Sequence, residues 1–165
     1  MSDSADAPRD PGRLDDLREL LRAELPLSVS LGVELRSWGP GGLEVWAPAE
    51  PNRNVHGTLF GGSLAAVALL AGWGWIRLEL QARGVEADVV VQNSDLRYDR
   101  PVRSPFRARA LPPDPGSWDR FLRALRRRGR GRISLRVELR PDDGIEHPAP
   151  AVEMAARYVA IALPH

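Results

Sequence analysis

Residues 54–80 read NVHGTLFGGSLAAVALLAGWGWIRLEL, and no other stretch restricts the possible folds as much. The segment begins polar and glycine-rich, then continues as the longest uncharged run in the chain. Leu64, Ala68, Ala71, Trp75 and Leu78 recur at helical spacing; Ala65, Leu69, Gly72, Ile76 and Leu80 repeat the pattern one position on. Two adjacent apolar stripes cover most of a helix, and a helix apolar nearly all round must be buried nearly all round. The run therefore predicts a core helix that the rest of the chain wraps. Arg77 and Glu79 bring its far end toward solvent. Gly72 and Gly74 each weaken a helix by ~1 kcal/mol against Ala; with Ala65, Ala66, Ala68 and Ala71 they would let another backbone come close. The uncharged window 57–76 is also long enough to cross a bilayer. Its Gly-Thr-Leu-Phe-Gly-Gly-Ser opening suits a loop better than lipid, and no second span follows, so a core helix is the expectation and a membrane is not.

The flanks read as short strands and turns. Residues 1–13 are polar with two prolines, a composition typical of a disordered segment. Residues 14–25 place Leu14, Leu17, Leu21 and Leu25 on one helical face, which Pro26 ends. Strands are expected at 31–38, 43–47, 87–98, 105–111, 132–140 and 151–163, with a small helix at 117–128 inserted among the last four. The strongest strand pattern is 87–98: Val89, Val90 and Val91 are β-branched, and Ser94, Leu96 and Tyr98 then alternate with Asp95, Arg97 and Asp99. No repeat or linker divides residues 14–165, so they form a single domain of the α+β class, one long helix against one antiparallel sheet. One sheet covers only part of such a helix, and a second copy of the chain is the natural source of the rest. A homodimer, or a tetramer built from it, is expected.

The start of the predicted helix is where chemistry belongs. Gly57, Gly61 and Gly62 precede or open it. The first amides of a helix lack internal partners and carry the positive end of its dipole, and glycine lets a ligand approach them. A phosphate, a carboxylate or a developing oxyanion would fit. The spacing is not a phosphate-binding P-loop, and all 23 basic residues are arginine. The plainer alternative is that Thr58 or Ser63 only caps the helix and the glycines only form a tight turn. The absence of cysteine excludes disulfides, thiolate metal sites and a cysteine nucleophile. The three histidines, His56, His147 and His165, show no paired metal-ligand spacing, so no metal or separate cofactor is expected. A net charge of +1 demands no nucleic acid. The first residues lack an apolar leader, which gives the cytoplasm as the default location.

Several linked segments, GTLFGGSL, LAGWGWIRLEL, DVVVQNSDLRYDRPV, SWDRFLRAL, RGRISLRVEL and RYVAIAL, together resemble the YiiD C-terminal-type thioesterases, over about residues 27–163. The resemblance implies a hot-dog fold, in which a curved antiparallel sheet of about five or six strands wraps a central helix and the unit dimerises. It also implies hydrolysis of an acyl thioester, with coenzyme A entering only as part of the substrate. Against the PaaI-like pattern HGTxHGGxLxxLAD, His56, Gly57, Thr58, Gly61, Gly62 and Leu64 match. Phe60 stands at the second histidine, and Leu69 at the acid that in this family activates water or attacks directly across the dimer interface.

Another group must then replace that acid. The Gly61 and Gly62 amides, helped by the Asn54 side chain, are candidates for polarising the carbonyl. His56 is the candidate base, followed by Asp95 with Asn93 and Ser94, on a strand expected beside the partner's helix start. Thr58 or Ser63 would position water, and Gly57, Phe60, Arg97 and Arg100 would contact substrate. Each has a plain structural alternative: a turn histidine, a turn asparagine, a first-turn serine, a solvent-facing aspartate. Arg126, Arg127, Arg128, Arg130 and Arg132 read as a solvated helix end, or as a phosphate clamp rivalled by Arg97, Arg100 and Arg103. Two other functions stay open: an acyl-group binder that has lost catalysis, and an enoyl-thioester dehydratase pairing His56 with Asp95.

Overall fold

The computed structural model describes residues 10–164. Helix α1 (Pro11–Glu24) starts earlier than the leucine pattern predicts. Pro11 supplies a preformed first helical turn, and the Asp10 carboxylate accepts the Gly12 N–H at 2.9 Å. Residues 10–13 are thus part of the domain rather than a disordered leader, and residues 1–9 lie outside the description. Pro26 ends α1 at Glu24, forcing Leu25 out of the helical region, and opens a short second helix, α2 (Pro26–Ser30). The turn that follows it takes residues 31–33 from the expected strand at 31–38, so β1 is only Glu34–Gly39.

The remaining elements follow the expected order: β2 (Gly42–Ala47), a 3-10 turn (Glu50–Asn52), α3 (Gly61–Ala82), β3 (Ala87–Tyr98), β4 (Phe106–Leu111), α4 (Pro115–Arg128), β5 (Arg130–Pro141) and β6 (Val152–Ala162). The six strands form one antiparallel sheet in the order β1-β2-β4-β5-β6-β3. Alternation puts Ile133, Leu135, Val137 and Leu139 of β5 inside, beside Met154, Ala156 and Tyr158 of β6. The long α3 lies in the concavity and touches β2 through β6. At its far end, the buried Glu79 accepts from Trp38 of β1 at 3.0 Å and pairs with Arg83 at 2.6 Å, joining that end of the helix to the sheet edge. Helix α4 caps the same end, with Trp118 edge-on to Trp75 at 5.1 Å between ring centres.

The small residues of α3 admit side chains, not another backbone. Over Gly72 lies the Tyr158 hydroxyl, which donates to the Leu69 carbonyl at 2.9 Å; Leu43 packs over Gly74. The helix is long and apolar enough to span a membrane, but most of it is buried inside the domain. The sheet nevertheless leaves a stripe of α3 partly uncovered: Gly62, Ala66, Leu69, Trp73 and Arg77, at spacings of four, three, four and four.

Candidate functional site

The start of α3 is built by three neighbouring segments. In the turn before it, the Asn54 side-chain oxygen accepts the backbone N–H of His56 at 2.8 Å and of Thr58 at 3.2 Å, and its NH2 donates to the Thr58 hydroxyl at 2.7 Å. Gly57 completes the turn at φ +78, where a side chain would be strained. Asn54 is therefore largely spent on the turn, which holds His56 at an exposed tip. Among the described residues the His56 ring has no hydrogen-bond partner. Next, the Leu59 N–H donates to the Val102 carbonyl and the Phe60 N–H to the Asn52 carbonyl, at 2.8 and 2.7 Å. Asn52 is itself locked by side-chain bonds to the Leu31 and Pro48 carbonyls.

The first turn of α3 carries no side-chain cap. Among the described residues, no acceptor takes the Gly61, Gly62 or Ser63 amide, while the Leu64 N–H bonds the Phe60 carbonyl. Two half-exposed aromatic rings flank the glycines. Phe60 lies against Gly62 so closely that a Cβ there would collide with the ring, and Tyr98 lies against Gly61 and donates its hydroxyl to the Gly61 carbonyl at 2.9 Å. Unpaired amides at the positive end of a 22-residue helix thus lie beside two aromatic rings. Such amides are suited to an oxygen that gains negative charge. Ser63 is buried in the same turn.

The other candidates are dispersed. A bulge between Val91 and Asn93 changes the phase of β3. Beyond it, Ser94, Leu96 and Tyr98 oppose buried residues of β6, whereas Asn93, Asp95 and Arg97 oppose Arg157, Ala155 and Glu153 on the solvent face. Asn93 and Asp95 thus point away from the helix start of their own chain, and a His56–Asp95 pair does not form within it. Arg97 is held by Asp99 and Glu153, which push its pKa up. Arg100 is also committed: it donates to the Ala149 carbonyl at 2.7 Å and lies 3.0 Å from His147 Nδ1. A guanidinium only donates, so Nδ1 accepts and the neutral ring carries its proton on Nε2, facing Asp143 at 2.9 Å. That hydrogen bond, with one from the Ile145 N–H, lowers the Asp143 pKa. Arg97 and Arg100 are thus both engaged within this chain, with the Arg97 side chain still 71% exposed. Arg126, Arg127 and Arg128 occupy the last turn of α4, where cations suit the helix dipole. Leu69 sits on the uncovered stripe, and no acid replaces it there. Among the described residues, no group of three or more metal-ligating side chains is assembled.

Tyr98 was the residue to find. It shares the parity of Ser94 and Leu96 in the sequence, but only the sheet reveals that this parity faces the helix start.

A family model described as "Putative thioesterase (yiiD_Cterm)" matches residues 14–162. Among solved structures, a protein of unknown function from Chlorobaculum tepidum is 31% identical, with a TM-score of 0.84 over 90% of this chain and 94% of that one. A putative thioesterase from Shewanella oneidensis is 28% identical, with a TM-score of 0.78 over 93% and 99%. The PaaI protein of Escherichia coli, at 13% identity and a TM-score of 0.64 over 93% and 95%, shares the fold. The curved six-stranded sheet around α3 is the hot-dog fold of these neighbours.

Proposed function

The chain belongs to the YiiD C-terminal family of thioesterases, and from that premise we propose that it hydrolyses an acyl-CoA to the free acid and coenzyme A. The observation that carries this reading is the uncapped first turn of α3, with the Gly61 and Gly62 amides unpaired between Phe60 and Tyr98. In this reading the thioester oxygen lies on those amides. Water adds to the carbonyl carbon and gives its proton to His56, the one titratable ring on the adjoining turn. The oxyanion collapses, the carbon–sulfur bond breaks, and the departing thiolate takes up a proton. Asn54 acts by shaping the turn that presents His56, and Ser63 lines the same turn of helix.

The reading includes a cytoplasmic homodimer. The long β3 has one free edge, and Val90 and Val91 are exposed along it. Such an edge is a template for pairing with a second copy. Pairing there would bring Asn93, Ser94 and Asp95 of one subunit toward the other.

One observation favours a second reading, a non-catalytic acyl-CoA binder: Leu69 stands where the wider PaaI-like pattern HGTxHGGxLxxLAD carries its acid. Thiol release from acetyl- to palmitoyl-CoA, with wild type beside His56→Ala and Asn54→Ala, separates the two. Turnover by wild type and a loss of at least 100-fold in a folded His56→Ala variant support hydrolysis at the helix start. Absence of turnover, with thermal stabilisation by an acyl-CoA, supports the binder.

A further inference from the structure

Independently of any hydrolysis, we propose that the convex face of the sheet, together with the end of α4, docks on an anionic lipid bilayer. Residues 120–137 hold eight arginines and no acidic residue. The whole chain carries a net charge of only +1, so the other residues sum to −7 and the positive charge is segregated. All eight side chains are exposed. Elsewhere in the fold many arginines are tied: Arg18, Arg53, Arg83, Arg97 and Arg109 each hold a carboxylate. Arg123, Arg126, Arg127, Arg128, Arg130 and Arg132 hold none among the described residues. The helix dipole accounts for cations in the last turn of α4, but not for those on β5.

Strand register joins these side chains into one surface. Gly129, at φ +66, turns the chain from α4 into β5. Ile133 and Leu135 of β5 face the core, so Arg130, Arg132 and Arg136 face outward. On β6, Ile161 lies opposite Arg130, Val159 opposite Arg132, and Arg157 opposite Ser134. On β3, Val90 lies opposite Val159. Ile161 and Val90, 45% and 51% exposed, are therefore aliphatic side chains on the outward face, beside a row of guanidinium groups. Carboxylates are few there. Glu153 is taken by Arg97 and Arg136, while Asp88 and Asp95 lie on β3, two strands and ~10 Å from β5.

The chemistry of this face fits a bilayer better than another polyanion. Arginine near a negatively charged membrane surface is attracted to it, and the planar guanidinium binds lipid phosphates through paired hydrogen bonds. Exposed hydrocarbon among the cations can enter the headgroup boundary and leave water. On a nucleic-acid backbone that hydrocarbon would gain nothing, and single-stranded binding uses exposed rings for base stacking. Trp118, Phe121 and Tyr158, the aromatic residues of α4, β5 and β6, are all buried. A second copy stacked on this face would set arginines against arginines. Pairing at the β3 edge uses main-chain groups in the plane of the sheet, and so leaves the convex face open.

The test uses the full-length protein with vesicles of phosphatidylcholine alone, or with about one-third phosphatidylglycerol. Sedimentation should show binding to the anionic vesicles only, falling at least tenfold between about 50 and 500 mM NaCl as the charges are screened. The triple substitution Arg126→Gln, Arg127→Gln, Arg128→Gln should weaken binding by about 100-fold, roughly fivefold per arginine. The pair Arg130→Gln, Arg132→Gln, on the strand, carries the test if α4 frays in the first variant. The chain has no cysteine, so Ile161→Cys takes a single environment-sensitive fluorophore. Its emission should shift to the blue on anionic vesicles and stay unchanged on neutral ones. No sedimentation with anionic vesicles, or binding that both variants leave unchanged, overturns the proposal. An unshifted fluorophore on bound protein, or tighter binding to a DNA duplex than to vesicles, assigns the arginines to another polyanion and also overturns it. So does a lipid-free mass that halves in Arg132→Gln, which assigns the face to a second copy.

Discussion

Alanine should be nearly neutral for stability at one glycine of α3 and costly at another, because different rings lie over them. In a helix interior, Gly→Ala gains up to ~1 kcal/mol of intrinsic propensity. At Gly62 the new Cβ meets the Phe60 ring, which is 57% exposed and can rotate into water. The clash should cost no more than an altered rotamer, about 0.5–1 kcal/mol, leaving stability within ~0.5 kcal/mol of wild type. At Gly72 the Cβ meets the hydroxyl end of Tyr158, whose ring is only 1% exposed and whose hydroxyl is tied to the Leu69 carbonyl. Nothing there can give without moving β6 or α3. Overpacking of this kind costs about 1–3 kcal/mol, so a net loss of about 1–2 kcal/mol remains after the propensity gain. Urea unfolding of both variants, with m-values checked for constancy, reads the difference. Gly72→Ala in a Tyr158→Phe background should recover only part of the loss, because ring carbons as well as the hydroxyl lie within contact of the new Cβ. A Gly72→Ala protein as stable as wild type would refute the packing argument. Thiol release completes the pair: Gly62→Ala should keep its fold and lose at least tenfold in kcat, because the methyl group and displaced ring crowd the amide.

Tyr98→Phe should remove the bond to Gly61 and cost about 0.5–1.5 kcal/mol in urea unfolding, while the ring keeps its place beside the glycine. Burial pushes the Tyr158 phenol far above its ordinary value near 10. The unfolded chain therefore loses this proton first, so the stability contribution is complete below pH ~10 and falls by ~1.4 kcal/mol per pH unit above it; urea midpoints at pH 9 and 11 should show that slope in wild type and not in Tyr158→Phe. Arg83→Ala should destabilise by about 1.5–3 kcal/mol, the range of a hydrogen bond to a charged group, because the buried Glu79 loses the guanidinium 2.6 Å from it, and thermal unfolding would report it. Val91→Lys on the free edge of β3 should shift light-scattering mass from dimer toward monomer, and an unchanged mass would place the contact elsewhere.

Much of the architecture was already determined by local pattern. Two apolar stripes at helical spacing forced α3 into the centre, alternation in β5 marked a strand with one buried face, and Gly61-Gly62 before an apolar run marked the open helix start. Those signals act through neighbours a few residues away, so they survive without the fold. The α2 turn did not register, because five residues are too few to show a period. The role of each polar residue was decided by long-range pairing. One bulge at residue 92 changes which parity of β3 faces inward, and so turns Asp95 and Arg97 to solvent and Tyr98 to the helix start. Arg100 is claimed by His147 and Ala149, residues almost fifty positions later, and Gly72 owes its lack of a side chain to Tyr158. Hydrophobic periodicity is a property of a segment, and so the sequence alone determined the core helix and the sheet around it. Which hydrogen-bonding groups remain free at the helix start, and which stripe of the helix stays uncovered, depends on contacts between segments, and only the tertiary structure decided them.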